Sequence, residues 1–299
     1  MIERIGDLAQ NDRLGALLRR TQMRVREAQV AVASGHRTER WDRLGDRAGM
    51  LVALREQRGL TAGFLAENDE LRARLGVVEA TLGSIGEIAE RLRTLLVARL
   101  NDASGASIPL DAEVAAMAAE LESLLNRQVD GAYLFAGSRS DRPPVELPEP
   151  LPVVADPALY YRGDEVALAF QADVGVEIAY GVRASAAPFA ELVAALGQAR
   201  AAHVAHDRAG LEAALSRVSG AIAGIAGLRA GVGAVDARLE AFAETQRGTL
   251  VQLDALIGET VDTDLAETMS RLARDQAALE ASYLVIARLN QLNLADYLR

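Results

Sequence analysis

Residues 71–96 read LRARLGVVEATLGSIGEIAERLRTLL, and the spacing of the apolar residues in this stretch decides the fold. The apolar positions alternate between steps of four and three residues, as in the seam of a coiled coil. They are Leu71, Leu75, Val78, Leu82, Ile85, Ala89, Leu92 and Leu96. Because so narrow a stripe leaves its helix only marginally stable alone, it requires a partner helix alongside it.

A second seam in the C-terminal half can provide this partner. Its members are Leu211, Leu215, Val218, Ile222, Ile225, Val232, Leu239, Leu250, Leu253 and Ile257. A continuous helix from residue 208 to 257 would be about 70 Å long. Glycines interrupt it at positions 220, 224, 227, 231 and 233, which predicts that a neighbour packs closely there. The two seams predict an antiparallel helix pair.

Apolar helical stripes also lie near both chain ends. One helix is predicted over residues 8–34, and another follows the turn at 261–264. We expect their stripes to lack a partner within the chain, and therefore to be covered by neighbouring subunits. The expected subunit-interface residues are Leu14, Leu18, Val25, Leu279, Tyr283, Ile286, Leu292, Leu294, Tyr297 and Leu298.

Between the helical halves the character of the sequence changes. Six of the eight prolines lie between residues 138 and 157, which forbids a regular helix there. The alternation in residues 166–180 predicts a β-hairpin, Pro188 marks a helix start, and Asp111 is a candidate helix cap.

The predicted fold is therefore mainly α. It is an elongated antiparallel helical bundle or coiled-coil rod formed by the N- and C-terminal halves, with a small β-rich insertion. The predicted domains are a helical half over residues 1–137, a projecting insertion over 138–188 and a second helical half over 189–299. The outermost part of each half would form an inner core.

Composition excludes several classes of partner. The chain carries a formal net charge of −10 with scattered arginines, so no basic face for nucleic acid or an anionic membrane is visible. We expect no membrane insertion, since no segment approaches the roughly 20 apolar residues of a membrane span. Residues 1–7 do not resemble a cleavable secretion signal.

The sequence also carries little that suggests catalysis, so we expect a protein that is not an enzyme and has no cofactor. It contains no cysteine. His203 and His206 lie three residues apart on a predicted helix and could share a metal, but no third ligand is evident. Asp262 and Asp264 are better explained by helix capping than by acid catalysis. Trp41 is interpreted as a loop anchor.

Several motifs together resemble the flagellin-like family of bacterial flagellar proteins. Residues 262–298, from DTDLAE to LNQLNLADYL, are similar to the end of flagellins. The run DGAYLFAGS at 130–138 resembles the family signature G-x-Y-L-F-A-G, which is most typical of the hook-associated branch. The signature residues are Gly131, Tyr133, Leu134, Phe135, Ala136 and Gly137. Ala33-Ser34-Gly35 matches the S-S-G that follows the first flagellin helix, whereas the I-N-T-N opening of filament flagellins is absent.

This resemblance implies a structural subunit that joins hook to filament and self-assembles through its terminal helices. The implied partners are further copies of the chain, other flagellar axial proteins and an export chaperone on the C-terminal helices. The implied location is the extracellular flagellum, reached through the flagellar type III channel. Filament flagellin is an alternative within the family, and a cytoplasmic coiled-coil scaffold or signalling rod is an alternative of another class.

Overall fold

The structure, a computed structural model, describes residues 2–36, 47–101 and 109–297. Its side chains are described over 13–36, 48–101, 109–260 and 262–288. The helices are α1 (Ile2–Ser34), α2 (Arg47–Asn101), α3 (Leu110–Leu125), α4 (Ala187–Val204), α5 (Arg208–Val261) and α6 (Leu265–Tyr297). The strands are β1 (Gln128–Val129), β2 (Ala132–Tyr133), β3 (Leu168–Asp173) and β4 (Val176–Tyr180). The mainly α class with a small β portion is confirmed.

Contacts within the chain separate two compact units. We call Met1–Gly59 with Leu250–Arg299 the terminal unit, and Leu60–Thr249 the central unit. Helices α2 and α5 each contribute residues to both units. The three-part domain division drawn from the sequence stays a prediction.

The central unit is organised around the predicted antiparallel pair of α2 and α5. Leu82, Ile85 and Leu92 of the α2 seam are fully buried, in one core cluster with Val218 and Ile225 of α5. Each such side chain contributes about 1.5–3 kcal/mol through its burial. The seam is flanked by ion pairs between the helices, which fit only an antiparallel arrangement: Arg72 with Asp236, at 3.0 Å, and Arg229 with Glu79.

Helices α3 and α4 pack against each other over this core. Helix α4 buries residues on all sides, including Phe189, Leu192 and Leu196. Pro188 stands in its first turn, as predicted. Asp111 does not cap α3, because Pro109 occupies the cap position and no side chain bonds there. The Asp111 carboxylate instead accepts a hydrogen bond from Arg200 on α4.

The β structure comprises two separate two-stranded antiparallel sheets in the central unit. The predicted hairpin is confirmed as β3 and β4, with Phe170 opposite Ile178. Strands β1 and β2 precede residue 138 and were not anticipated. Residues 138–167 contain only an isolated bridge between Val145 and Tyr161 and a 3₁₀ turn at Pro157–Leu159, so this part of the insertion is less β-rich than expected. The prolines explain this, since they cannot donate to a strand ladder.

One helix departs from the expectation that no segment could cross a membrane. Residues Arg208–Thr260 of α5 are long and apolar enough to do so by length and composition. That apolar character comes mainly from valine, isoleucine and leucine, with alanine between them. The larger side chains Leu211, Val218 and Ile225 are buried in the core of the central unit, so the core of a folded protein accounts for them.

The glycines of α5 do not all have the predicted close neighbour. A Cβ at Gly224 would lie 2.5 Å from Cγ of Pro188, so the prediction is confirmed there. At positions 220, 227, 231 and 233 a Cβ would meet no atom within 4 Å among the described residues. Of these five glycines, Gly224 is therefore the one that packing requires.

Close packing also excludes a larger residue at a second glycine position, in α4. A Cβ at Gly197 of α4 would lie 2.2 Å from the carbonyl oxygen of Pro152. We expect Gly197→Ala to lower the free energy of unfolding by about 1–3 kcal/mol, because backbone must shift to admit the methyl group. Gly220→Ala, at an open and exposed helical position, should raise it by about 0.5–1 kcal/mol. Urea denaturation of both variants checks this, and a Gly197→Ala variant as stable as Gly220→Ala would contradict it.

Candidate subunit interface and signature loop

Helices α1 and α6 of the terminal unit pack side by side in antiparallel directions. The turn end of the pair is closed by a hydrogen bond from the Thr263 amide to the Gly35 carbonyl, at 3.1 Å. Further along, Arg24 pairs with Asp275 at 3.2 Å, and the Gln22 amide donates to the Tyr283 hydroxyl at 2.7 Å.

Local sequence explains both the close approach and the turn. Thr21, Ala28 and Ala31 are buried small residues on α1, and the Cα atoms of the two helices come within 8 Å of each other. Asp264 begins α6 by accepting a hydrogen bond from the Glu267 amide at 3.0 Å, so the capping interpretation of this carboxylate is confirmed. Asp262 instead contacts His36, with Oδ1 2.8 Å from Nδ1.

The structure corrects the expectation that the terminal stripes have no partner within the chain. Val25 is buried, and Leu14, Leu18, Leu279 and Ile286 are half-buried. Among the expected interface residues whose side chains are described, Tyr283 alone is exposed, at 47%. The remainder lie outside the described side chains: Leu292, Leu294 and Tyr297, which belong to α6, and Leu298.

A different set of apolar side chains faces outward from the terminal unit. More exposed large apolar side chains are found here than in the central unit, although the terminal unit is the smaller, and Leu284 and Val251 are the most exposed, at 66% and 70%. We call this set the terminal apolar surface. It comprises Leu17, Met23, Val30, Met50, Val52, Val251, Leu256, Leu265, Met269, Tyr283, Leu284 and Val285.

The interface residues expected from the sequence include Tyr283 of this surface but miss the rest of it. The reason is that Leu284 and Val285 stand beside the heptad stripe, where a helix of a single compact protein would carry polar residues. The sequence does contain this information, because α6 carries apolar residues on two of its faces. Large exposed apolar patches on soluble proteins mark contacts with a protein partner, a membrane or a ligand.

The signature residues 131–137 lie in the central unit and begin with a tight hairpin turn. Asp130 and Gly131 have φ values of 52° and 79°, as the Asp-Gly loop of a type I′ turn requires, and join β1 to β2. Tyr133 is half-buried, and its amide donates to the Ser140 carbonyl at 3.0 Å. The signature thus starts by reversing the chain.

The apolar part of the signature anchors the loop in the core. Leu134, Phe135 and Ala136 are buried, and the ring of Phe135 meets that of Phe189 edge to face, with 6.2 Å between centroids. The Phe135 carbonyl accepts from the Ala184 amide at 2.9 Å. The loop is thereby fixed to helix α4.

Asp164 holds the end of the signature. Its carboxylate accepts hydrogen bonds from the amide and hydroxyl of Ser138 and from the amide of Val166. Gly137 has φ +72°, and a Cβ there would lie 2.3 Å from Asp164 Oδ1, so only glycine fits. The hydrogen bonds from Ser138 lower the pKa of the Asp164 carboxyl below its ordinary value of 3.8.

Two neighbouring tyrosines complete this arrangement. The Tyr160 hydroxyl donates to the Ala184 carbonyl at 2.9 Å, and that of Tyr161 donates to the Asp164 carbonyl at 2.6 Å. Burial raises the pKa of both phenols, that of Tyr161 to about 12. The sequence did not connect residues 160–164 with the signature, because nothing in their spacing indicates that they return to it.

The histidine pair is not arranged as predicted. Helix α4 ends at Val204, so His203 lies on the helix, whereas His206 lies in the following turn with φ 53°. His203 Nδ1 accepts a hydrogen bond from Arg99 Nε at 3.2 Å. Within the described ranges, no three His, Cys, Asp or Glu side chains form a group suited to a metal ion. Trp41 lies outside the described residues.

Part of this sequence matches a known protein family. Residues 215–298 match the bacterial flagellin C-terminal helical region. Sequence comparison with curated proteins gives no significant match. The chain is therefore flagellin-like in its C-terminal sequence, and the predicted resemblance is confirmed.

Two solved structures share the fold. One is of a flagellar hook-associated protein from Vibrio parahaemolyticus, with a TM-score of 0.59 at 17% identity, over 72% of this chain and 99% of that one. The other is FlgL from Bacillus cereus, with a TM-score of 0.57 at 18% identity, over 70% of this chain and 99% of that one. At these identities the likeness demonstrates the fold.

The Asp164 loop predicts a dependence of stability on acid pH. The pKa of Asp164 is lowered in the folded protein, so its ionised carboxylate adds to the free energy of unfolding. This contribution is complete above the ordinary carboxyl pKa and is lost as pH falls through the lowered pKa. We expect Asp164→Asn to unfold at lower urea than the parent at pH 7, and the difference to shrink below about pH 4. Asp141→Asn, at a carboxylate that is 74% exposed, is the control and should match the parent throughout. A gap between Asp164→Asn and the parent that stays constant with pH would contradict this role.

Proposed function

We propose that this protein is a structural subunit of the bacterial flagellum, not an enzyme, and that it joins the hook to the filament. The observation that supports this most directly is the terminal apolar surface, carried by a unit whose C-terminal helix lies within the flagellin match. Of the two solved structures described above, one is of a flagellar hook-associated protein and the other is of FlgL.

Assembly follows from the exposure of these side chains. Burying one leucine or methionine against a neighbouring subunit contributes about 1.5–3 kcal/mol, so several along one surface stabilise a contact between subunits. Contacts that repeat from copy to copy without closing into a ring produce a helical tube. The partners are then further copies of the chain and other flagellar axial proteins.

The route to the flagellum is the second part of the proposal. The chain would leave the cell through the flagellar type III channel, with an export chaperone covering the C-terminal helix before assembly. An apolar helical face such as that carrying Leu284 and Val285 is what a chaperone would have to shield, because it would otherwise favour aggregation.

Filament flagellin is the second candidate, because the matching family region is that of flagellin. The two functions differ in copy number and position. A junction subunit forms a short collar between hook and shaft, whereas a flagellin forms the whole shaft. A cytoplasmic scaffold, in contrast, would be absent from flagella altogether.

Immuno-electron microscopy of detached flagella tests the position. We expect antibody against this protein to label one end of the shaft next to the hook. Label along the whole shaft would establish the flagellin alternative, and label confined to the cytoplasm would overturn the flagellar function. Cells lacking the flagellar export apparatus provide the control, because the protein should then be missing from the growth medium.

The terminal apolar surface predicts which substitutions impair assembly. Leu284→Glu should leave the folding of the monomer unchanged, since the side chain is 66% exposed. It should raise the concentration needed for assembly by about tenfold or more, because each interface loses the burial of one leucine. Sedimentation of assembled material against protein concentration measures this.

Val204→Glu is the matched control, because Val204 is 71% exposed but belongs to the central unit. It should assemble at the same concentration as the parent. Equal assembly by Leu284→Glu and Val204→Glu would show that the terminal apolar surface is not the interface.

A further inference from the structure

Two amide side chains interrupt the apolar seam of the central unit. Asn68 on α2 is fully buried and Gln246 on α5 is 3% exposed. The Asn68 Nδ2 donates to Gln246 Oε1 at 2.9 Å, so the two helices are joined by a hydrogen bond within their core. Burying an amide side chain costs free energy unless its polar atoms form hydrogen bonds. The partners of Asn68 and Gln246 therefore indicate why these residues lie in the core.

Both amides also bind the same backbone atom of the β3–β4 hairpin. Asn68 Nδ2 and Gln246 Nε2 donate to the carbonyl oxygen of Ala172, at 3.1 and 2.9 Å. Ala172 lies where the ladder changes register, between the pairs Gln171–Glu177 and Asp173–Val176. This is a β-bulge, whose extra residue is left out of the ladder. At this bulge the Ala172 carbonyl is bound by one side chain from each helix.

The arrangement carries an energetic cost. Asn68 Oδ1 accepts no hydrogen bond from the described residues, although it is buried. Apolar side chains of similar volume would avoid that cost, and polar groups kept in a helix seam are best attested as devices that fix register. Thr81 of the same seam differs, because its hydroxyl bonds only to Val77 of its own helix at 2.7 Å.

The hairpin held in this way forms one wall of a groove within the central unit. Leu168, Ala179 and Tyr180 of the hairpin face the groove, whose volume is about 460 Å³. Helices α2 and α5 also line the groove. A Cβ added at their lining residues Gly227 or Gly231 would meet no atom of the described residues within 4 Å. The hairpin therefore contributes part of the lining of the groove.

We propose that Asn68 and Gln246 form a latch that holds the β3–β4 hairpin against α2 and α5 through the Ala172 carbonyl. The hairpin is then a strap over the groove, and release of the latch frees the strap while the helix pair stays folded. This device depends on contacts inside the central unit alone and is independent of the flagellar function.

Hydrogen exchange of the full chain tests the latch, with Asn68→Leu/Gln246→Leu as the variant and Thr81→Val as the matched control. In the double variant the amides of residues 168–180 should exchange about tenfold faster, as expected when one or two hydrogen bonds are lost. The amides of the α2–α5 seam should keep their protection. Thr81→Val should exchange like the parent throughout, because it removes a bond within one helix.

A distance measurement gives a second readout. The chain has no cysteine, so spin labels can be placed at Val174→Cys, on the exposed hairpin tip, and at Ala73→Cys, on the exposed side of α2. The parent should show one narrow distance distribution, and the double variant should gain a second, longer component. Parent-like exchange and a single distance in the double variant would overturn the proposal.

If the double variant does not fold, the single variant Gln246→Leu still tests the latch. Asn68 still donates to Ala172 there, so exchange in residues 168–180 should accelerate less, again with the helices unaffected. Unchanged hairpin exchange in this variant would overturn the latch. Faster exchange of the α2 and α5 backbone amides in both variants would overturn it as well. The Asn68 and Gln246 side chains would then be needed to hold the helix pair itself together.

Discussion

The burial of one apolar seam between α2 and α5 is the constraint on which the rest of the structure depends. Neither stripe is wide enough to stabilise a helix of this length in water by itself, so each requires the other. Once paired, the two helices provide the surface on which α3, α4 and both hairpins pack in the central unit. Interhelical ion pairs such as Arg72–Asp236 lie at the margin of this seam and select its antiparallel register, whereas the stabilisation comes from the leucines beneath them.

Around that seam, glycines and one carboxylate determine how the irregular chain between β2 and β3 is held. Gly137 and Asp164 are mutually dependent: the glycine provides the space that the carboxylate occupies, and the carboxylate satisfies the amides that the turn leaves unpaired. This explains in physical terms why a signature of the form G-x-Y-L-F-A-G carries both apolar anchors and glycines. Most of the polar contacts described above hold backbone atoms in place, so they fix the conformation of this loop.

The terminal unit has a different balance of forces. Small residues on α1 allow a close approach to α6, and this pairing covers Val25 but leaves Leu284 and Val285 exposed. Pairing within the chain and the proposed contact between subunits therefore use different faces of the same helix. A subunit of the proposed kind would fold its ends in part before assembly and still keep exposed apolar side chains for its neighbours.

The sequence by itself predicted the α2 and α5 seams and the terminal helices, because an alternating four-and-three spacing is typical of paired helices, and it indicated a resemblance to flagellins through motifs at 130–138 and 262–298. It located the β3–β4 hairpin and the helix start at Pro188, since both follow from local backbone preferences. The return of Asp164 to Ser138, the separation of His203 from His206, the pairing of α1 with α6 and the amide latch at Ala172 were decided only by the tertiary structure. Each of these joins residues through space, and periodicity along a chain carries no record of which side chain will meet which backbone atom after folding.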